Sequence, residues 1–292
     1  MHRQRLLYGS LLVALALIVF LFDPAPVFPV LAVVTLALTQ LACKEWLILC
    51  GTPAGYRWTT HAALAMVLVS NWAPVLYAHC VSADSLDRAK GQAWLCIGVA
   101  LALALILSLA HESCRFRGPS GVLSRLGHDA FAIIYLGLLP SFLVQLRLTH
   151  PHGAWALAAA IFIPKASDTG AFYVGGALGR HRMAPVLSPK KTIEGAVAGV
   201  AAAILCAGLL HVAGSAWAEK SLWSSLPESL VFGLVLAVAG QTGDLFESLL
   251  KRDSGVKDSS NVLRGMGGVL DVLDSLVLCG PAAYLWLCKP WG

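Results

Sequence analysis

Charge is scarce in this chain. Only 13% of its 292 residues are Asp, Glu, Lys or Arg, while 58% are hydrophobic. A soluble domain typically holds about 25% charged and about 45–50% apolar residues. A soluble core of this composition would leave apolar surface in water, so the chain reads as a polytopic helical membrane protein. No basic patch with interleaved aromatics occurs, so the net charge of +5 is not a nucleic-acid signal. Cys-x-x-Cys is also missing: the eight cysteines are scattered, mostly within apolar runs, and read as small buried side chains. The nine histidines lack metal-ligand spacing, and His111-Glu112 has no second His four residues on. No small-x-small cleavage pattern follows the apolar run 6–22, which is therefore expected to be an uncleaved span. The polar intervals are too short for a separate soluble domain.

Long apolar runs are what the chain has instead. Segments of about 20 apolar residues suit a bilayer core. The expectation is an all-α polytopic integral membrane protein with about nine transmembrane helices, near 6–22, 25–42, 59–80, 93–110, 126–146, 153–176, 192–215, 227–250 and 266–288. Counting Lys and Arg between these spans gives 15 on one side, including Arg3, Arg5, Lys190, Lys191, Lys251 and Arg264, against 5 on the other. The basic side faces the cytoplasm. The N-terminus is therefore expected in the cytoplasm and the C-terminus outside, across the inner membrane. Residues 1–150 are expected to be a membrane scaffold of about five spans, and 151–292 a catalytic region of about four, within a single integrated membrane domain. In the scaffold, Lys44-Glu45 reads as a snorkelling pair at the interface.

The charges that do enter apolar segments concentrate in residues 240–275. On one helix, Asp244, Glu247, Ser248 and Lys251 fall at i, i+3, i+4 and i+7, hence on one face. On the next, Asp271, Asp274 and Ser275 repeat i, i+3, i+4. Two such faces turned together make an oxygen-lined acidic pocket of the kind that hard cations and the phosphates they carry require. Acidic groups within membrane segments are rare and usually functional.

Two further stretches carry polar groups. Lys165 and Asp168 stand three residues apart within a span, followed by glycines at 170, 175, 176 and 179. These glycines favour close helix packing or a break. Ser188-Pro189 then predicts a turn, placing Ser188, Lys190 and Lys191 at the start of a helix that opens with Thr192-x-Glu194-Gly195. Exposed N–H groups there would join the two ammonium groups in an anion site.

Taken together, these residues resemble the phosphatidate cytidylyltransferase (CDP-diacylglycerol synthase) family. Three blocks carry the likeness. The first is Ser167-Asp168-Thr169-Gly170-Ala171-Phe172, and the second runs from Leu187-Ser188-Pro189-Lys190-Lys191 to Gly195. The third, 243–275, matches a signature S-x-hydrophobic-K-R-x₄-K-D through Ser248, Lys251, Arg252, Lys257 and Asp258, then Gly267-Gly268 and Asp271-x-x-Asp274. Two positions depart from the usual pattern. Met266 stands where His is common, and Val272 follows Asp271 where Arg is common. Arg264, two residues before Met266, is the candidate to supply the missing cation.

The resemblance implies that CTP condenses with phosphatidic acid at the membrane, giving CDP-diacylglycerol and pyrophosphate, with Mg²⁺ as cofactor and room for a second cation. Asp244, Asp271, Asp274 and Glu247 would be the metal ligands, and Asp244, Asp271, Asp274 and Lys251 the catalytic set. Ser188, Lys190, Lys191, Ser248, Asp168, Lys257, Asp258 and Arg264 would hold substrate. The partners are then CTP, phosphatidic acid and membrane lipid, without nucleic acid, and a homodimer is allowed. A CTP-dependent polyprenol or phytol kinase is the alternative enzyme, distinguished by its product. A cation transporter would instead spread its acids along the membrane depth.

Overall fold

A computed structural model describes residues 23–25, 27–52, 56–81, 86–118, 121–217, 222–256, 259–260 and 267–289. The expected first span, 6–22, lies outside the described residues, as do Lys257, Asp258, Arg264 and Met266.

Helices dominate. In chain order they are α1 (Pro29–Leu49), α2 (Arg57–Ser70), α3 (Ala73–Val81), α4 (Leu86–Arg115) and α5 (Val122–Ala132). The π-helical stretch Ile133–Leu138 leads into α6 (Leu139–Thr149), and α7 (Gly153–Leu178) follows. Strands β1 (Arg182–Ala184) and β2 (Ser188–Thr192) precede α8 (Ile193–Trp217), α9 (Leu226–Asp253) and α10 (Val269–Cys288). Among the described residues, six segments are long and apolar enough to cross a membrane: Pro29–Leu49, Gly91–Arg115, Val122–Thr149, Ile193–Ala216, Leu226–Asp253 and Val269–Cys288. They fall on six of the expected spans. The expected span 59–80 is two helices, α2 and α3. Asn71 ends the first by folding its amide back onto the carbonyls of Val67 and Leu68, at 3.2 and 3.0 Å, and onto the Ser141 hydroxyl at 2.9 Å. Such side-chain donors compete with the helical ladder.

The chain divides into two compact units, Met1–Val144 with Asp258–Leu270, and Gln145–Lys257 with Asp271–Gly292. In the first, Ala63, Val67, Ile97, Ala100, Ala104 and Ile133 form an apolar core. Beside it, Thr60 donates to Asp129 at 2.6 Å, and Arg125 grips Glu112 through two bonds of 2.8 and 2.7 Å. Lys44 and Glu45 do not behave as an interfacial pair. Lys44 is exposed, whereas Glu45 is only 2% exposed, because the helix turns it inward onto a set of donors.

In the second unit α7, α8 and α9 pack closely through small residues. A Cβ on Gly170 would lie 2.7 Å from the Cβ of Ala202, and one on Gly199 would lie 2.8 Å from the Ser167 carbonyl. Such close backbone approach is typical of helices packed in a bilayer, where small residues rather than apolar burial permit association. Gln241 ties the three helices together, donating to Ala196 O at 3.0 Å and to the Ser167 hydroxyl at 3.3 Å.

The expected turn at Ser188-Pro189 is instead part of a strand. β2 pairs antiparallel with β1, with Arg182 opposite Thr192, Ala184 opposite Ser188 and an irregularity between. Proline drives its predecessor to extended geometry, which suits a strand as well as a turn, and a two-stranded ribbon leaves an edge where its missing N–H costs nothing. Lys190 and Lys191 therefore lie in the strand, before a helix that starts at Ile193.

Candidate active site

Helical spacing on α9 places Asp244, Glu247 and Lys251 together, and tertiary packing supplies their partners. Asp244 and Glu247 meet Asp274 of α10: each offers a ligand oxygen, and these oxygens lie within 4.8 Å of one another. Glu247 is fully buried, Asp274 nearly so, and Asp244 half-buried. The two helices approach this closely because position 243 is glycine; a Cβ there would run into the main-chain carbonyl of Asp274.

Lysines interleave the acids. Lys251 reaches both Glu247, four residues back on its own helix, and Asp271 of α10, at 2.5 Å each. Asp271 thus shares Lys251 with Glu247, one of the three clustered carboxylates. Lys191 of β2 pairs with Asp244 at 2.6 Å. Lys165 of α7 donates to Asp168 at 3.2 Å, to Val272 O at 3.1 Å and to the Ser275 hydroxyl at 2.8 Å. Ser275 in turn donates to Asp168 at 3.1 Å. Spacing alone predicts the Lys165–Asp168 pair, but not the bonds that join it to α10.

Formally, the five carboxylates of Asp168, Asp244, Glu247, Asp271 and Asp274 face the three ammonium groups of Lys165, Lys191 and Lys251. Donors that are all oxygen suit a hard divalent cation such as Mg²⁺.

Beside the acids lies a cavity of about 360 Å³, within the range of small-molecule sites. The hairpin contributes Lys190 and Lys191 to its wall, α7 contributes Asp168, and α9 contributes Asp244 and Gln241. Thr192, Gly195 and Ala196 bring the N-terminal turn of α8 to the same wall. Thr192 caps that turn, its hydroxyl accepting from Gly195 N–H at 3.2 Å. The hairpin is held at both ends. Glu194 accepts the backbone N–H groups of Arg180 and His181 at 3.1 and 3.2 Å, and Arg252 donates to Leu187 O at 3.1 Å. Of the other residues singled out in the sequence, Ser188 is in β2 away from the lining, and Ser248 is buried on α9. Lys257, Asp258 and Arg264 lie outside the described residues. Neither spacing nor composition singles out Gln241 or Gly243 for the site; a glutamine within an apolar segment is the available signal for the first.

The profile of the cytidylyltransferase family matches residues 3–288 of the chain. Among curated proteins, a phosphatidate cytidylyltransferase of Bacillus subtilis (strain 168) is 34% identical over 165 residues, which is 55% of this chain and 58% of that protein. One of Brucella suis biovar 1 is 36% identical over 205 residues, 68% of this chain and 73% of that protein. The chloroplastic phosphatidate cytidylyltransferase 5 of Arabidopsis thaliana is 37% identical over 210 residues, 63% of this chain and 49% of that protein. The match therefore spans less than two thirds of the Bacillus and Arabidopsis relatives and more than two thirds of the Brucella one. The likeness read from the three sequence blocks is borne out across nearly the whole chain: it belongs to the cytidylyltransferase family.

Proposed function

We propose that this chain is a phosphatidate cytidylyltransferase, joining CTP to phosphatidic acid to give CDP-diacylglycerol and pyrophosphate. The observation that carries the reading is the meeting of Asp244, Glu247 and Asp274 beside a cavity edged by Lys190, Lys191 and a helix N-terminus. An oxygen of the lipid phosphate attacks the α-phosphorus of CTP. A P–O bond forms there as the bond from that phosphorus to the bridging oxygen breaks, and pyrophosphate leaves with the electron pair. The attacking group is already an anion at neutral pH and needs no strong base. The barrier lies in bringing one anion onto another.

The residues answer that demand. Lys190, Lys191 and the opening N–H groups of α8 attract the phosphates, with Lys191 oriented by Asp244. Lys251 holds Glu247 and Asp271 in place, and Lys165 with Asp168 fixes α10 through Ser275. Mg²⁺ held by Asp244, Glu247 and Asp274 would neutralise developing phosphate charge, and Asp271 is the carboxylate a second cation would take. Lys257, Asp258 and Arg264, which lie outside the described residues, are the remaining charged residues assigned to substrate. In that role Arg264 replaces the cation that Met266 and Val272 cannot provide.

The test is purified full chain with phosphatidic acid and CTP labelled at the α-phosphorus, with and without Mg²⁺. Label should pass to a CDP-lipid, in equal amount to pyrophosphate, and only with Mg²⁺. Phosphorylation of a lipid alcohol by the CTP γ-phosphate would replace this reading with a kinase.

Nine spans, a cytoplasmic N-terminus and a cytoplasm-facing site in the inner membrane complete the reading, supported by the loop charge bias of 15 against 5. In a background without native cysteines, a cysteine at Ser221 should react with an impermeant thiol reagent added outside the cell. One at Ser254, an exposed position just past α9, should stay unlabelled. The reverse pattern would place the acids on the side without nucleotide.

A further inference from the structure

We propose that Glu45 is a positioning residue for the transfer reaction, seating the start of α10 and thereby setting the acids that this helix carries. The inference rests on the transferase reading above. Glu45 lies in α1 and is 2% exposed. Its two oxygens accept the backbone N–H groups of Val269 at 3.0 Å and Leu270 at 2.8 Å. They also accept the hydroxyls of Ser259, at 3.1 Å, and Ser260. These residues all belong to the first unit. The opening N–H groups of a helix have no partner within it, and a carboxylate there both satisfies them and offsets the positive end of the helix dipole. Caps usually come from the residue just before the helix; this one comes from 224 residues away in the chain.

Gly267 and Gly268 are shaped around this contact. Gly267 has a left-handed φ of 93°, which favours glycine. A Cβ on Gly268 would collide with the Ser259 hydroxyl and the Glu45 carboxylate. The paired glycines noted in the sequence thus let a distant glutamate reach the helix start. Asp271 follows in that first turn, and Asp274 lies three residues further along the same helix. A helix turns by about 100° per residue, so a first turn that slips or frays re-aims both side chains. Among the described residues Glu45's hydrogen-bond partners are those four groups, and it acts on Asp271 and Asp274 through the helix.

A structural role alone would change how much protein folds, whereas positioning changes what the folded protein binds. The measurements are therefore made on purified, folded full chain: Mn²⁺ binding by electron paramagnetic resonance without nucleotide, hydrogen exchange across 267–276, and kcat per folded molecule. Glu45→Ala is expected to weaken Mn²⁺ binding by about tenfold or more and to lower kcat at least as far. Exchange should quicken at the start of α10 and remain unchanged in α8. Glu45→Gln, which turns one acceptor into a donor facing donors, should behave alike, and Glu45→Asp should recover part of the loss. If Glu45→Ala does not fold, Ser259→Ala with Ser260→Ala removes two of the four bonds and should show the same effects, smaller. Unchanged Mn²⁺ affinity and kcat in the folded variants would overturn the proposal. A wild-type chain that binds Mn²⁺ yet transfers no cytidylyl group would instead refute the transferase reading, while the Mn²⁺ and exchange data still judge Glu45.

Discussion

Asp244→Asn and Asp274→Asn should each reduce turnover by on the order of 10³-fold or more, with the protein still inserted and folded. Asparagine matches aspartate in shape, so packing is kept and only the charge is lost. Each change lowers the negative charge of a cluster whose ligand oxygens lie within 4.8 Å of one another. It thereby removes one ligand from a reaction whose barrier is the approach of two anions. Several kcal/mol of lost stabilisation corresponds to that drop in rate. The Asp244 variant also frees Lys191 from its 2.6 Å partner, so its KM for CTP should change as well as kcat. Asp274 pairs with no lysine among the described contacts, and its variant should lower kcat with less effect on KM. Initial rates across a Mg²⁺ titration, alongside a size-exclusion profile, make the measurement. Near-normal rates for both variants at every Mg²⁺ concentration would remove these residues from the metal site.

The second large effect is expected from a single methyl group. Gly243→Ala places a Cβ against the carbonyl oxygen of Asp274, a backbone atom that cannot swing aside. Either α9 and α10 separate or the start of α10 distorts. Overpacking of this kind typically costs about 1–3 kcal/mol of stability. The greater damage is to the site, because Asp244 follows Gly243 and Asp274 is the residue struck. A misplacement of about 1 Å can cost on the order of 10²-fold in rate, and that is the loss expected here. Gly240→Ala is the matched control, one turn earlier on the same helix. Its Cβ would lie 3.2 Å from the Pro164 Cβ and 3.5 Å from the Cys279 sulfur, a crowding of a few tenths of an ångström rather than a collision with backbone. That variant should keep activity within about tenfold of wild type. Equal activity of the two variants would show that the close approach at Gly243 does not set the site.

Much of this protein is legible in its residues alone. Scarce charge and long apolar runs mark a helical membrane protein, and six of the expected spans coincide with helices long and apolar enough to cross. The helical period places Asp244, Glu247 and Lys251 on one face of α9, and three short blocks of residues point to the family. Other features are not legible. The bond from Asn71 to the Ser141 hydroxyl, 70 residues away, at the break in the span 59–80, is one. The residues at 188–192 form a strand because 182–184 lies beside them.

Hydropathy and helical spacing are local properties, written in residues close together along the chain, and membrane class, helix faces and the kinds of groups at the site follow from them. Choice among partners is not local. Lys251 has several acids within reach of its sequence neighbourhood, yet it bridges Glu247 and Asp271. Lys165 joins Ser275, and Glu45, which reads in the sequence as an interfacial charge, caps a helix 224 residues further on. Those pairings follow from burial. A charge withdrawn from water must find oppositely charged or hydrogen-bonding groups wherever packing brings them, so its partners are set by the fold and not by its neighbours along the chain.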